Sequence, residues 1–485
     1  MSELAAPRSV VILGVPFHDV TMDETIARLA ALIERRDRVY WATANLDFTY
    51  QASKDVELQR ILIEADLVLC DGTPLVWASR ALGAPLRERV TGSDLVPRIA
   101  AEAATRGWKV FLLGGGDDAL PIALANLRAK YPGLQVDGYS PPYAKLLDMD
   151  FENISAHIAA ARPDVLLVAF GCPKQEKWLY MHQRQLAVPM SVGVGATVDF
   201  LAGKFRRAPR WMQVIGAEWL FRLSQEPRRL FNRYLFDLLF FVRTLRAQRK
   251  ALSTRPARPA SQTRAFLPPS AEALLLSPDI RLVQWAERID ATAIDAGKVT
   301  SPAADLPPGG IVALDTSAVT FLDSTGLGLL LSAYRRSITS GGGLVLVRPS
   351  PIVANLLGAM KLDRLIPIVE EAAFARTALG LSAPAPSASG GAVLSLAVQG
   401  ELTATRVPEL TRWIEESWAT RSDATRLILD LSAVRFMDSS GLGLLLRCHR
   451  LAAARHASSL TLRQPSENVR NVLRLAKVEA LLRFE

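Results

Sequence analysis

Five groups of polar residues and glycines follow short apolar runs in the first half of the sequence, where they could form a ligand site. They lie at 43–45 (TAN), 70–74 (CDGTP), 89–94 (RVTGSD), 114–118 (GGGDD) and 170–178 (FGCPKQEKW). Taken singly, each has a simpler interpretation, because an Asp after a strand often only caps a helix and a glycine run is a weak signal for a phosphate loop. Together, five such turns at successive strand ends favour a nucleotide-binding crevice.

The apolar runs that precede these groups predict the strands of a parallel sheet. They lie at 10–15, 38–45, 67–72, 109–116, 165–171 and 190–196. Helical patterns separate them, which is typical of βαβ units in an α/β fold. We therefore predict a Rossmann-like domain over residues 8–250, with its active site in the loops at the carboxyl ends of the strands.

Length and composition limit the classes of protein to consider. The 485 residues suggest about three domains. The hydrophobic and charged fractions, 49% and 22%, exclude a wholly disordered chain. Three scattered cysteines exclude a disulfide framework and a cysteine-rich zinc site, and they fit a reducing cytoplasm. The start lacks a signal-peptide pattern, and the apolar run 235–242 is too short to span a membrane, so we expect a soluble or peripheral protein.

A basic segment at 204–250 accounts for the net charge of +9. It contains twelve basic and three acidic residues, and aromatic residues alternate with the basic ones. We predict an appendage that lies on an anionic membrane surface and covers the active site. The alternative is a solvated basic helix that packs its aromatic residues on its own core. Nucleic acid is a weaker third option and is not expected, because no recognition motif accompanies the charge.

The second half of the chain contains an internal repeat. IVALDTSAVTFLDSTGLGLLL (311–331) matches LILDLSAVRFMDSSGLGLLL (427–446) without a gap at an offset of 115. Segments rich in Pro, Ser and Ala precede the two copies at 251–270 and 381–391, and we interpret them as linkers. The pattern predicts two homologous α/β domains at 271–380 and 392–485, each joined flexibly to what precedes it.

Each copy has a hydroxyl at the predicted start of a helix, after F-x-D-S. Helix capping by the Asp and hydroxyl groups explains these residues by itself. The other interpretation is phosphorylation, because a hydroxyl at an exposed helix start is accessible to a kinase, and a phosphate there would be stabilised by the helix dipole yet repelled by the adjacent Asp.

The repeated loop F-x-D-S-[ST]-G-L-G closely resembles that of the STAS domain (sulfate transporter and anti-sigma factor antagonist). The resemblance covers almost the whole of each copy. It implies that Thr325 and Ser440 are the phosphoacceptor positions. It also implies a kinase or another STAS-type regulatory protein as a partner.

The first domain resembles the WecG/TagA/CpsF glycosyltransferases (glycosyltransferase family 26) over about 10–245. The motifs that carry this resemblance are T-x-N, [AC]-D-G, R-V-x-G-x-D, L-L-G-G, G-x-P-K-Q-E and, at 193–209, G-x-x-x-D-F-x-x-G-x-x-x-R-A-P. The family implies an inverting hexosyltransferase of surface polysaccharide synthesis. It would move an N-acetylmannosamine-, uronic acid- or glucose-type unit from a UDP-sugar to a polyprenyl-diphosphate-linked sugar, at the inner face of the plasma membrane.

The resemblance also suggests roles for individual residues. Asp71 would be the base that deprotonates the acceptor hydroxyl. The donor sugar or its diphosphate would be held by Thr43, Asn45, Arg89 and Gln175, by the backbone at Gly114 and Gly115, and by Arg222, Arg229 and Arg233. We expect neither a metal nor another cofactor, since arginines would offset the phosphate charge.

Two other readings of the first domain stay open. A catalytically silent domain in a STAS-based scaffold is disfavoured by the intact Asp71, Arg89 and Gln175. A nicotinamide-dependent oxidoreductase is disfavoured by the incomplete glycine fingerprint and the lack of a catalytic Tyr/Lys or His pattern.

Overall fold

The computed structural model describes most of the chain. The described residues are 6–209, 211–212, 217–253, 280–304, 306–379, 393–421, 424–456, 460–476 and 478–485. Both predicted linkers lie outside these ranges, except that residues 251–253 continue a helix. The chain divides into two units, Met1–Ile368 and Val369–Glu485.

The N-terminal domain contains a parallel sheet with the strand order β4-β3-β8-β7-β5-β6. All the neighbouring strands in it run parallel, as predicted. The strands of this domain are β1 (Ser9–Ile12), β2 (Val15–His18), β3 (Val39–Ala44), β4 (Leu67–Cys70), β5 (Lys109–Gly114), β6 (Gln135–Tyr139), β7 (Val165–Ala169) and β8 (Met190–Gly193). The edge strand β6 has no counterpart among the predicted strands, because its polar residues Gln135 and Asp137 are exposed and interrupt the apolar pattern.

The prediction that residues 10–15 form a strand of this sheet is wrong. They form most of a separate antiparallel hairpin, β1–β2, in which Ser9 is opposite His18. The connecting residues Leu13 and Gly14 both have positive φ angles, 53° and 86°, as a two-residue hairpin turn requires. Val10, Val11 and Ile12 are all fully buried, so their sequence is as apolar as that of a central strand in a parallel sheet.

Helices connect the strands of this domain or follow them in the chain. They are α1 (Met22–Arg35), α2 (Leu46–Lys54), α3 (Val56–Glu64), α4 (Thr73–Ala81), α5 (Gly92–Arg106), α6 (Leu120–Lys130), α7 (Phe151–Ala161), α8 (Lys174–His182), α9 (Thr197–Leu201), α10 (Glu218–Gln225) and α11 (Pro227–Ser253). Helix α1 shows why these segments are helical: Thr21 and Glu24 form a capping box, and Ile26, Leu29 and Ile33 form its buried face.

The two repeats have the same sheet order. In the first repeat, β9 (Ile280–Gln284), β11 (Ile311–Asp315), β13 (Gly343–Val347) and β14 (Ile368–Val369) form a sheet ordered β14-β13-β11-β9, while β10 (Arg288–Ile289) pairs with β12 (Phe321–Leu322). Its helices are α12 (Ala291–Asp295), α13 (Ser324–Thr339) and α14 (Pro351–Ala359).

The second unit, Val369–Glu485, includes α15 (Ala375–Ala378) and the second repeat. Its sheet has the order β15-β16-β17-β18, formed by β15 (Val393–Leu402), β16 (Arg426–Met437), β17 (Thr461–Arg463) and β18 (Arg483–Phe484). The helices are α16 (Val407–Thr420), α17 (Ser439–His456) and α18 (Glu467–Leu475). The shared strand order confirms the α/β repeat predicted from the sequence.

The first repeat packs directly on the N-terminal domain, which corrects the expectation of a flexible attachment. Val11 of the hairpin, Ile63 of α3 and Ala251 of α11 lie in one hydrophobic core with the apolar residues of β11, α13 and α14. The composition of the linker suggests that the two domains are separate. It carries no information about apolar surfaces of the two domains that meet away from the linker. Within the described ranges, no helix, α11 included, is both long and apolar enough to cross a membrane.

Candidate active site

The carboxyl edge of the parallel sheet brings most of the predicted turns together. Thr43 is the second-last residue of β3, and its hydroxyl donates a hydrogen bond to the carbonyl of Gly193 at the end of β8, at 2.9 Å. The backbone N–H of Asp71, after β4, donates to the carbonyl of Ala44 at 2.9 Å. Parallel strands end at one edge, so these turns become neighbours although they are far apart in the sequence.

Asp71 is a half-buried carboxylate with little stabilisation from the backbone. One oxygen accepts a long hydrogen bond, 3.3 Å, from the N–H of Gly92 at the start of α5. The following helix α4 begins after Gly72 and has no side-chain cap among the described residues, so Asp71 is not its N-cap. Burial raises the pKa of Asp71 to about 6, against the opposing effects of the Gly92 hydrogen bond and the charge of Arg89. A carboxylate of this basicity suits a general base near neutral pH.

Three arginines surround the Asp71 region, and an acidic residue of the appendage lies among them. Arg89 forms an ion pair with Glu218 at 3.1 Å. Arg207 pairs with Asp94 at 2.6 Å and lies 3.9 Å from the other oxygen of Glu218. The charge of Arg222 also lowers the pKa of Asp71. The result is a cluster of guanidinium groups beside a carboxylate, at the beginning of the basic segment.

The three arginines predicted in the appendage have different positions. Arg222 lies over the Phe200 ring at 5.1 Å and acts on Asp71. Arg229 is exposed and pairs with Glu226 at 2.6 Å. Arg233 lies 3.9 Å from Asp47 of α2. Of the three, Arg222 is therefore the one that the structure places with the candidate base.

Two predicted donor-binding residues point their polar atoms at the protein itself. The carboxamide of Gln175 is only 1% exposed, and its oxygen accepts the N–H groups of Gly171 and Gly195, both at 3.1 Å. It thus holds the loops after β7 and β8 together. Asn45 is the N-cap of α2 and accepts the N–H of Phe48 at 3.3 Å. For both residues, and for the buried Thr43, the structure shows a role in shaping the edge of the sheet.

The glycine run after β5 has a conformational reason that the sequence did not show. Gly114 and Gly115 have φ angles of 99° and 93°, in the left-handed region that favours glycine. A Cβ at Gly115 would lie 2.4 Å from the Val198 side chain of α9. The run therefore lets α9 approach the sheet, and contact between its N–H groups and phosphate oxygens stays a prediction.

Sequence reasoning missed two acidic residues of this region. In the sequence Glu218 is only one of the three acidic residues in the basic segment. Its pairing with Arg89 depends on tertiary contacts, which the sequence pattern does not show. Glu176 follows Gln175, whose side-chain N–H donates to it at 2.7 Å, and its burial raises its pKa to about 7. Its place inside the G-x-P-K-Q-E motif was the available signal.

Metal-ligating side chains do not cluster in the described part of the chain. There, no three His, Cys, Asp or Glu residues come close enough together to hold an ion. The expectation of a reaction without a metal stays a prediction.

The basic appendage divides into two parts. Helix α10 and the first half of α11 expose large apolar side chains to solvent: Trp219, Leu220, Phe231, Leu235, Phe236, Leu238 and Leu239. At the far end of α11 one face is instead buried, since Gln248 and Ala251 lie in the contact with the hairpin and the first repeat. The prediction of one membrane-facing segment is therefore corrected for this face, which packs inside the protein.

The predicted phosphoacceptor hydroxyls are buried, not exposed as expected. Thr325 is 2% and Ser440 8% exposed, and neither hydroxyl has a hydrogen-bond partner among the described residues. The cause is close packing of the first helical turn: a Cβ at Gly326 would lie 2.5 Å from the carbonyl of Ile289. Phosphorylation at these positions stays a prediction and would require this turn to open.

Comparisons with known proteins give a family for each part of the chain. The model of the glycosyl transferase WecG/TagA/CpsF family matches residues 10–255, and the STAS domain matches 284–375 and 387–485. The N-acetylglucosaminyldiphosphoundecaprenol N-acetyl-beta-D-mannosaminyltransferase of Staphylococcus aureus (strain MW2) is 28% identical over 255 residues, which are 52% of this chain and 97% of that relative. The enzyme of the same name from Bacillus spizizenii is 28% identical over 197 residues, 41% of this chain and 75% of its own.

Among solved structures, the unphosphorylated anti-sigma factor antagonist SpoIIAA is similar to part of the chain. It shares 25% identity over 20% of this chain and 82% of its own, with a TM-score of 0.18.

Proposed function

Because this chain belongs to the WecG/TagA/CpsF family of glycosyl transferases and carries two STAS domains, we propose that it transfers a sugar from a UDP-sugar to a polyprenyl-diphosphate-linked acceptor sugar. The observation that carries this proposal is the Asp71 carboxylate, whose pKa is about 6, beside arginines at the carboxyl edge of a parallel sheet. The names of the relatives support a lipid-diphosphate acceptor and an N-acetylmannosamine donor unit. A uronic acid or glucose unit remains the alternative.

The proposed step is a single displacement with inversion at the anomeric carbon. Asp71 takes the proton of the acceptor hydroxyl while the oxygen of that hydroxyl forms a bond to the anomeric carbon. The bond from that carbon to the diphosphate breaks, and UDP leaves with the electron pair. The negative charge that develops on the leaving group is stabilised by guanidinium groups, so no metal is required in this proposal.

In this proposal Arg89, Arg207 and Arg222 hold the diphosphate. Two of them contact Glu218 in this structure, at 3.1 and 3.9 Å. A diphosphate offers the same guanidinium groups more charge and more oxygen atoms than one carboxylate. Donor binding would therefore displace Glu218 or share the arginines with it.

The exposed apolar side of α10 and α11 would bind the membrane that contains the acceptor, at the inner face of the plasma membrane. Phe231, Leu235 and Leu238 recur at i, i+4 and i+7 and so share one side of the helix. Arg228, Arg229 and Arg243 are exposed on the same helix, and such residues are attracted to anionic lipid headgroups.

A vesicle assay tests this surface. Replacing Phe231, Leu235 and Leu238 together by Ser should abolish co-sedimentation with vesicles of phosphatidylglycerol and phosphatidylcholine, and should leave UDP binding unchanged. The control is Ile122→Ser, because Ile122 on α6 is also exposed, 49% against 59% for Phe231. Unchanged sedimentation of the triple variant would move the membrane contact elsewhere.

The STAS domains would regulate the transferase or dock it to a kinase or a STAS-type protein. The buried hydroxyls of Thr325 and Ser440 mean that any such modification would be coupled to opening of the first turn of α13 or α17. In the alternative, the N-terminal domain is silent and the chain is a STAS-based scaffold.

The deciding experiment measures UDP release from a panel of donors. UDP-N-acetylmannosamine, UDP-glucuronic acid and UDP-glucose are each incubated with N-acetylglucosamine linked to a short-chain prenyl diphosphate. We expect acceptor-dependent release from one donor. UDP binding without release from any donor would support the silent scaffold.

A further inference from the structure

The first STAS domain contacts the N-terminal hairpin through its helix α13, at a position where only glycine fits. A Cβ at Gly328 would lie 2.3 Å from the carbonyl oxygen and 2.6 Å from the hydroxyl of Ser9 in β1. The equivalent glycine of the second repeat, Gly443, has no described atom within 4 Å of such a Cβ. The two repeats therefore share the glycine, but only the first uses it for close contact with the N-terminal domain.

Gln248 joins three parts of the first unit at the turn of this hairpin. Its side-chain oxygen accepts the N–H of Leu13 at 3.0 Å, and its nitrogen donates to the carbonyl of Val11 at 2.7 Å. The same nitrogen lies 3.4 Å from the hydroxyl of Ser324, the first residue of α13. Gln248 is fully buried, so these bonds are made without competition from water.

The opposite side of the turn is held by a second buried glutamine. The side-chain nitrogen of Gln59 in α3 donates to the carbonyl of Gly14 at 3.3 Å and to that of Met360, after α14, at 3.0 Å. Lys361 adds a bond of 2.8 Å to the carbonyl of Ser53. The first STAS domain is thus bonded to the hairpin, to α3 and to the end of α2.

Helix α11 connects this junction to the arginine-rich region. It runs for 27 residues, about 40 Å at 1.5 Å per residue. Its middle packs on α2, where Phe240 and Tyr50 have ring centroids 5.4 Å apart. Nearer its start, Arg233 lies 3.9 Å from Asp47 of the same helix α2. A helix that is fixed at its far end has less freedom at its start.

We propose that the first STAS domain is a positioning element of the transferase, which fixes the hairpin and α11 through Gln248 and Gly328. It would hold the appendage at the angle at which its arginines reach the donor. The catalytic part of this inference rests on the proposed function, whereas the mechanical part, the coupling of α13 to α11, does not.

Matched substitutions in the two repeats test the mechanical part in the full chain. Gly328→Leu places a side chain against the Ser9 backbone, whereas Gly443→Leu enters open space. We expect Gly328→Leu to increase hydrogen exchange at least tenfold, equivalent to about 1.4 kcal/mol, in the hairpin and in residues 227–253. Gly443→Leu should leave both segments unchanged. Equal exchange in the two variants would overturn the proposal.

Donor binding tests the catalytic part. In Gly328→Leu the KM for the donor should rise about tenfold and kcat should fall as well, since the arginines hold the bound donor and stabilise the charge of the diphosphate as it leaves. If the wild type releases no UDP, the proposed function fails, but the exchange experiment still decides on the coupling. Faster exchange with an unchanged KM would overturn the positioning role.

A second variant covers the case in which Gly328→Leu does not fold. Gln248→Met keeps the volume of the side chain and removes its hydrogen bonds to Leu13, Val11 and Ser324. It should increase exchange in the hairpin and α11 and raise the donor KM in the same direction as Gly328→Leu. Gln248→Met with wild-type exchange in α11 would exclude Gln248 as the positioning residue.

Discussion

Two kinds of loop in this molecule share one order of features, a strand, an aspartate and a helix, but they use the aspartate in different ways. In the second STAS domain, one oxygen of Asp438 accepts the N–H groups of Ser440 and Gly441 at 2.8 and 3.0 Å, and the other accepts that of Ala404 at 2.9 Å. Asp323 has the same pattern in the first repeat. Asp71 accepts a single long bond, from Gly92.

The difference shows how the backbone separates a capping aspartate from one whose lone pairs stay largely free. Several N–H donors stabilise the charge of a capping Asp and occupy its lone pairs. Asp71 is followed by Gly72, which begins its helix without using the carboxylate, so burial dominates and the pKa rises to about 6. Burial also raises the pKa of Asp323. What sets Asp71 apart is that it accepts a single N–H bond, which leaves lone pairs free to take a proton.

The largest expected effect concerns turnover. Asp71→Asn should reduce kcat by about 10²–10⁴-fold, because the amide cannot accept the acceptor proton, with UDP binding within a few-fold. The measurement is UDP release with the donor identified in the panel, with Asp438→Asn as the control. Near-wild-type turnover of Asp71→Asn would show that Asp71 is not the base, and that the two kinds of loop do not differ in function.

The pH dependence should follow the same carboxylate. Since Asp71 must be deprotonated and its pKa is about 6, kcat/KM should fall about tenfold per pH unit below about 6 and be flat above it. A profile of log kcat/KM from pH 4.5 to 8 measures this, with circular dichroism at each pH to verify folding. A break near pH 4 would show that burial does not act on this group as described.

The smaller effects concern stability, where replacing the capping aspartates should matter more than replacing Asp71. Asp438→Ala leaves three N–H groups, two of them buried, without their acceptor, so it should lower the unfolding free energy of the second unit by about 1–3 kcal/mol, measured by urea denaturation. Asp323→Ala should act similarly in the first unit.

Asp71→Asn should instead stabilise the protein above pH 6. A pKa raised in the folded state means that ionisation costs stability as the pH rises from 3.8 to about 6, and the amide avoids that cost. The gain should disappear at pH 4, where both forms are neutral in the folded protein. A loss of stability at pH 8 would show that Asp71 is also structural.

Sequence patterns predicted the parallel sheet and the repeats because both depend on local periodicity. They failed for residues 10–15, because an apolar run buried on both sides looks the same in a hairpin as in a central strand. They placed Asp71 at the edge of the sheet, since parallel strands impose that. The prediction that residues 89–94 also follow a strand is wrong, because they come after α4 and lead into α5. Arg89 is near this edge because its neighbour Val90 donates its N–H to the carbonyl of Cys70 at 3.0 Å. Glu218 and the burial of Thr325 depend on contacts between distant segments, which composition and spacing do not encode.

The hairpin also has a consequence for how the chain is made. Val11 leaves the ribosome before α13, which covers it and follows roughly 300 residues later, or about 15–60 s at ~5–20 residues per second. Until α13 is made, the apolar side of the hairpin, and later the far end of α11, lack this cover. The part of the first unit that is synthesised last therefore completes the part that is synthesised first. A chain that stops at Ser253 would keep this surface open and should aggregate where the full chain does not.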